Sequence, residues 1–322
     1  MLKFIQFWLL ALWFAAGAAA AQGYPDKSKT LKMILPQGTG STSDVLARAL
    51  AKGISDVSGL NVVIEYKPGA ETVIGVQSLL ASPPDGYSLL MVSSSTPVLN
   101  VVLIPNLAYD PFRDFVPLIG VSKTMLALNL GPSTPFKTVR EFIAAAKAQP
   151  GKYTYASATT AQRLAGELLL AQAGIQLLNV PYKTTAQAAT ALAGGEVDMH
   201  MVDAATMRPL WQSGRVRALA ASGPTRMLAM PELPTLREEG LPDYDFTAWF
   251  ATYFARGTPP EMAERMREIL RRAVKSPTVQ ETLATVGMEP WDASGDEITQ
   301  RARKEVALWT EIVKRAGLRP GQ

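Results

Sequence analysis

Leu31-Lys32-Met33-Ile34-Leu35-Pro36-Gln37-Gly38-Thr39-Gly40-Ser41-Thr42-Ser43-Asp44 passes from an apolar run, through glycines and hydroxyls, into a helical pattern. Residues 31–35 read as a strand and 44–57 as a helix, because apolar residues there recur at helical spacing. The glycines between them let the main chain approach a ligand closely. The helix that follows turns unpaired N–H groups and its positive dipole end toward any anion placed there. A plain loop with Ser43 or Asp44 as N-cap fits the same residues equally well.

Outward from this segment, short β-branched runs keep alternating with longer helical patterns. A strand at 61–66, a helix at 72–81 and a strand at 88–92 complete a β-α-β-α-β series. After Gly120 a second series begins, with strands at 126–130, 153–156, 177–180, 197–202 and 216–221. Helices at 138–149, 161–173 and 185–193 separate them, the last ending at Gly194-Gly195, where a glycine can take positive φ. Such alternation is the signature of an α/β protein with largely parallel sheets.

Beyond Pro231-Glu232-Leu233-Pro234 come one aromatic strand at 246–254 and amphipathic helices at 260–274, 278–286 and 296–315. Those helices need an apolar partner, and the simplest arrangement returns the chain to cover the first series. The expected division is a lobe of 22–121 plus 245–322 and a second lobe of 122–244, with a hinge at the two crossings. Ser157-Ala158-Thr159-Thr160 repeats the strand-loop-helix opening in the second series. Ligands in open α/β sheets collect at the carboxyl ends of strands, so the expected site is a cleft between the lobes fed by both loops.

The N-terminus reads as a secretory leader over 1–21: Lys3, an apolar run at 4–14 and Ala19-Ala20-Ala21 as a cleavage site. A retained membrane anchor is the alternative, since 4–21 approaches the roughly 20 apolar residues that span a bilayer, although no basic stop-transfer cluster follows. The rest holds no comparable run, so the mature protein is not expected to be membrane-embedded. The chain contains no cysteine, which removes disulfides, thiolate nucleophiles and lipid attachment at an N-terminal Cys. The formal charge of +4 includes Lys3, so the mature value is one less, +3, and its charges are intermixed, which does not point to nucleic acid.

His200 is the sole histidine. Multi-histidine metal sites are thereby excluded, and any Ser-His-Asp triad would depend on this one residue, which reads as a packed or solvent-facing strand residue. No G-x-S-x-G elbow, S-x-x-K pair, Walker lysine loop or complete G-x-G-x-x-G occurs. Acidic pairs such as Asp243/Asp245 and Glu238/Glu239 fall in turns and helix ends, where solvated carboxylates are ordinary.

A series of short motifs in one order carries a resemblance. In the first half these are Tyr24-Pro25, Ser43-Asp44 with Ala47-Arg48, Lys67-Pro68-Gly69-Ala70, Pro84-Asp85-Gly86-Tyr87-Ser88-Leu89-Leu90, and Tyr109-Asp110 before Asp114-Phe115. The second half adds Leu164-Ala165-Gly166-Glu167, Val180-Pro181-Tyr182-Lys183, Gly194-Gly195-Glu196-Val197-Asp198, Gly214-Arg215-Val216-Arg217-Ala218-Leu219-Ala220, Arg226, Leu233-Pro234-Thr235, Glu239-Gly240 and Gly257-Thr258-Pro259. Together they resemble the Bug-type receptors, the periplasmic substrate-binding proteins of tripartite tricarboxylate transporters, along nearly the whole mature chain.

The resemblance implies a two-lobed periplasmic-binding-protein (Venus-flytrap) fold, periplasmic and monomeric, that closes on a small organic acid or amino-acid-like solute. It implies delivery to membrane permease subunits or presentation to a sensor partner, with no enzymatic chemistry, cofactor or metal. An exported hydrolase or lyase using the same cleft is the alternative from another class. By position, first-lobe contacts would come from Gly38, Thr39, Gly40, Ser41 and Thr42, from Glu71 and Thr72, and from Ser93, Ser94 and Ser95. Second-lobe contacts would come from Ser157, Thr159, Thr160, Tyr182, Thr184 and Asp203, the acid taking an amino or hydroxyl group.

The sequence departs from the family pattern at these loops. The first glycine loop is longer than usual, the Ser157 loop is shorter and lacks its glycines, and Thr184 stands where glycine is common. Glu71-Thr72 replaces a pair of glycines. A carboxylate there would repel an anion in a poorly solvated site. The expected solute is therefore a monocarboxylate or amino-acid-like molecule in preference to a citrate-like trianion.

Overall fold

A computed structural model describes residues 23–39 and 41–315. The leader read over 1–21 and the candidate contact Gly40 lie outside the described residues. In chain order the first elements are β1 (Thr30–Leu35), α1 (Thr42–Ser58), β2 (Asn61–Tyr66), α2 (Val73–Leu80) and β3 (Ser88–Ser93). Short helical turns over 95–103 and at Pro111–Asp114 lead into β4 (Phe115–Leu130). Next come α3 (Val139–Ala148), β5 (Thr154–Ser157), α4 (Thr160–Ala173), β6 (Leu178–Pro181), α5 (Thr185–Gly194), β7 (Met199–Asp203), α6 (Ala204–Gln212) and β8 (Arg217–Ala221). The last are β9 (Thr247–Ala255), α7 (Pro260–Val274), α8 (Pro277–Thr285), β10 (Glu289–Pro290) and α9 (Gly295–Arg315).

These elements form two compact units. Of the described residues, unit 1 takes those through Ser122, Trp249–Leu283 and Pro290–Val306; unit 2 takes Lys123–Ala248, Ala284–Glu289 and those from Ala307.

In unit 1, β1 lies between β2 and β3 with all three parallel, and β9 runs antiparallel beside β3. Leu31, Met33, Ile34 and Leu35 of β1 are all buried, so the strand reads as a continuous apolar run. Helix α1 buries Leu46, Leu50 and Ile54 at helical spacing, each contributing about 1.5–3 kcal/mol, and stops at Gly59, which takes φ 74°. Helix α7 packs on α1 so closely that a Cβ on Gly53 would stand 3.0 Å from the Ala273 carbonyl oxygen.

In unit 2, β5 lies between β6 and β7, all parallel, and β4 runs antiparallel to both β7 and β8. Ala156, Leu192, Val202, Met207 and Val216 form its core with Trp211 against them. Within it the buried Asn129 amide donates to the carbonyls of Ala127 and His200, and its oxygen accepts the Trp211 indole N–H at 2.7 Å. Helix α5 ends as its glycines predict, with Gly195 at φ 76°.

Two readings of the sequence are corrected. Strand β4 begins at Phe115 rather than near residue 126, because it is buried along most of its length and so shows no period-two alternation. Helix α6 was not expected, since Pro209 sits inside a span of only nine residues.

Candidate functional site

The carboxyl ends of the parallel strands β2, β1 and β3 open onto three loops of unit 1, at 67–72, 36–41 and 94–95. The first two lie near one another because α2 approaches the end of β1: a Cβ on Gly75 would stand 2.7 Å from the Pro36 side chain. Gly38 and Thr39 are exposed. Ser41 is the N-cap of α1, its hydroxyl accepting the Asp44 N–H at 3.1 Å and donating to the Gly38 carbonyl at 3.0 Å. The expected cap at Ser43 or Asp44 is thus replaced by Ser41, whose short side chain reaches back over the first turn, and Thr42 is already helical.

Asp44 places a carboxylate in that first turn, where it accepts from Arg48 Nε at 2.9 Å and from the Tyr66 hydroxyl at 2.6 Å. Its charge is matched by Arg48, so the helix start keeps its positive field. Ser93 ends β3, the Ser94 N–H donates to the Trp249 carbonyl at 2.7 Å, and Ser95 starts a π-helical turn.

The loop after β2 has the least common backbone of the described chain. Gly69 takes φ 123°, and Ala70, Glu71 and Thr72 follow at 46°, 49° and 76°. Left-handed conformation costs about 1–2 kcal/mol for each residue with a Cβ, and a β-branched residue there is an outlier. Where the sequence suggested a helix from Thr72, the chain makes a 3₁₀ turn over Ala70–Thr72 and starts α2 at Val73. Glu71 is exposed, and its carbonyl accepts from Asn100 Nδ2 at 2.5 Å. Asn100 carried no sequence signal, because its partners lie far along the chain.

Unit 2 repeats the pattern three times. Strand β5 leads to Thr159, β6 to Thr184 and β7 to Asp203, and each of these caps the next helix. Thr159 accepts the Gln162 N–H at 3.2 Å and Thr184 the Gln187 N–H at 3.2 Å, leaving each hydroxyl hydrogen to donate. The Asp203 carboxylate accepts from the Thr206 N–H at 2.9 Å and from the Thr206 hydroxyl at 3.0 Å. These caps were legible as T-x-x-Q and D-x-x-T spacings.

Ser157 is buried, its hydroxyl accepting from Asn179 at 2.8 Å and its carbonyl from the Tyr182 N–H at 2.8 Å. The Ala158 N–H is bonded to Gln162 Oε1 at 2.8 Å, which ties that amide to α4. Thr160 is exposed in the first turn of α4 and Tyr182 half-buried after β6. Ser157, Thr159, Thr160, Tyr182, Thr184 and Asp203 thus share the carboxyl edge of the β6-β5-β7 strands.

His200 is fully buried on β7, with Nδ1 3.0 Å from the Ala156 carbonyl. Burial, outweighing that carbonyl and the Asp203 charge, lowers its pKa to about 4 and keeps the ring neutral. It is a packed residue with no access to a substrate. Among the described residues no group of three His, Cys, Asp or Glu side chains could hold a metal ion, and no helix is long and apolar enough to cross a membrane.

The chain is 32% identical to the protein BugT of Bordetella pertussis over 94% of its own length and 93% of that protein. An R. palustris protein solved with adipate shares the fold at a TM-score of 0.73 and 28% identity, covering 91% of this chain and 98% of that one. MatC from Rhodopseudomonas palustris, solved with bound malate, does so at a TM-score of 0.69 and 25% identity, covering 90% and 100%. The fold is the α/β, two-lobed fold of periplasmic binding proteins, whose members here are receptors and not enzymes. The family profile described as "Tripartite tricarboxylate transporter family receptor" matches residues 46–318, and this chain belongs to that family of solute-binding receptors.

Proposed function

We propose that this receptor binds a small carboxylate-containing solute in the periplasm, where the leader over 1–21 directs it, and delivers that solute to the permease of a tripartite tricarboxylate-type transporter. One observation carries the reading: β1, β5, β6 and β7 each open at their carboxyl ends onto a helix start capped by Ser41, Thr159, Thr184 or Asp203. Helix starts and hydroxyls of this kind hold a carboxylate through fixed dipoles without needing a buried cation. The proposed contacts are Gly38, Thr39, Gly40, Ser41, Thr42, Glu71, Thr72, Ser93, Ser94 and Ser95 in unit 1. Those in unit 2 are Ser157, Thr159, Thr160, Tyr182, Thr184 and Asp203.

Within this reading Glu71 selects the solute. Its exposed carboxylate disfavours a second or third negative charge nearby and favours an ammonium or hydroxyl group. The solute is accordingly a monocarboxylate or an amino-acid-like molecule. Native mass spectrometry of the isolated protein, followed by thermal-shift screening of carboxylates and amino acids, tests this. A solute at 100 times its Kd raises stability by about 2.7 kcal/mol. Glu71→Gly should weaken the preferred solute and admit di- and tricarboxylates such as malate; unchanged binding across the panel would remove Glu71 from the site.

A further inference from the structure

We infer that Asn100 is a positioning residue for solute binding: its buried side-chain amide clamps the Ala70–Thr72 turn in left-handed conformation and so sets the direction of Glu71. This rests on the receptor reading above. Asn100 is nearly buried and opens the helical turn Asn100–Leu103. Its Nδ2 stands 2.5 Å from the Glu71 carbonyl oxygen, 3.2 Å from the Thr72 hydroxyl and 3.0 Å from the Tyr109 hydroxyl.

The directions of these bonds are determined. Tyr109 has a single hydroxyl hydrogen, and it donates that to the Thr96 carbonyl at 2.8 Å, so toward Asn100 it can only accept. The Thr72 hydroxyl in turn lies 2.9 Å from that of Thr96, which is fully buried. Asn100 thus joins the strained turn to buried groups of the same unit. Glycine at 70–72 would adopt these angles unaided. With Ala70, Glu71 and Thr72 there instead, an external donor must supply what the backbone alone does not favour.

Hydrogen exchange of the solute-free protein, with titration of malate, adipate and glutamate, tests the clamp. In Asn100→Ala, amides of 70–73 should exchange at least about tenfold faster while β1 and β2 keep their protection. Tyr109→Phe should act in the same direction more weakly, and it carries the test if Asn100→Ala does not fold. Whichever of the three probes binds should bind about tenfold more weakly to Asn100→Ala. On an Ala70→Gly/Thr72→Gly background the same substitution should cost roughly threefold or less, because glycine needs no clamp.

Unchanged exchange at 70–73 in both single variants overturns the inference. So does an equal loss of affinity in both backgrounds, which would mark Asn100 as a general stability residue. If none of these probes binds the wild-type protein, faster exchange at 70–73 still supports the clamp, and its absence in both single variants still overturns it.

Discussion

His200 shows how a single residue type changes meaning once its surroundings are known. As the chain's one histidine it invites a catalytic reading, yet it is packed on β7 with Nδ1 facing the Ala156 carbonyl. Because a carbonyl only accepts, Nδ1 must carry the proton, which leaves Nε2 as a buried acceptor without a partner. The ring is neutral when folded, and its pKa of about 4 lies below the 6.5 of a free histidine. The unfolded chain therefore binds the extra proton first. Stability from this residue is complete above about pH 6.5 and is lost as pH falls toward 4, by up to about 3 kcal/mol. Thermal unfolding of His200→Gln between pH 7 and 4 should show a correspondingly flatter decline.

At the level of elements, the caps connect local sequence to the site. Ser41, Thr159, Thr184 and Asp203 each satisfy an orphan N–H of the helix they start, so they are structural residues whether or not a solute is present. Thr159→Ala should cost about 1 kcal/mol, a loss that Thr159→Ser should largely restore, measured by chemical denaturation. In the proposed site the hydroxyl would serve both purposes, so solute affinity should fall with the alanine variant and recover with serine. Most element positions were legible, with α7 at Pro260–Val274 and β2 at Asn61–Tyr66 matching their patterns end to end. The exceptions have separate causes: β4 is buried along most of its length and shows no alternation, while α6 is short and contains Pro209, which reads as a helix breaker.

At the level of the molecule, the chain passes between units at Ser122/Lys123 and again at Ala248/Trp249, Leu283/Ala284, Glu289/Pro290 and Val306/Ala307. Unit 1 is consequently incomplete without residues far along the chain. Helix α7 covers α1 at Gly53, and Arg272 donates to the Val57 carbonyl at 3.1 Å. A chain cut after Ala248 lacks α7 and would uncover the side of α1 at Gly53. It should bind 1-anilinonaphthalene-8-sulfonate and lose a cooperative urea transition for unit 1, with a reduced m-value. A sharp transition with unchanged slope would show that the first part of the chain folds without α7.

Sequence alone determined the alternation of strands and helices, the strand ends that carry glycines and hydroxyls, and the family, because periodicity, capping and short motifs are properties of neighbouring residues. Tertiary structure decided that His200 is buried and neutral, and that residues 70–72 are left-handed under the hold of Asn100. Those outcomes depend on partners roughly 30 or more residues away, and the energy of a buried polar contact is set by what surrounds it in space.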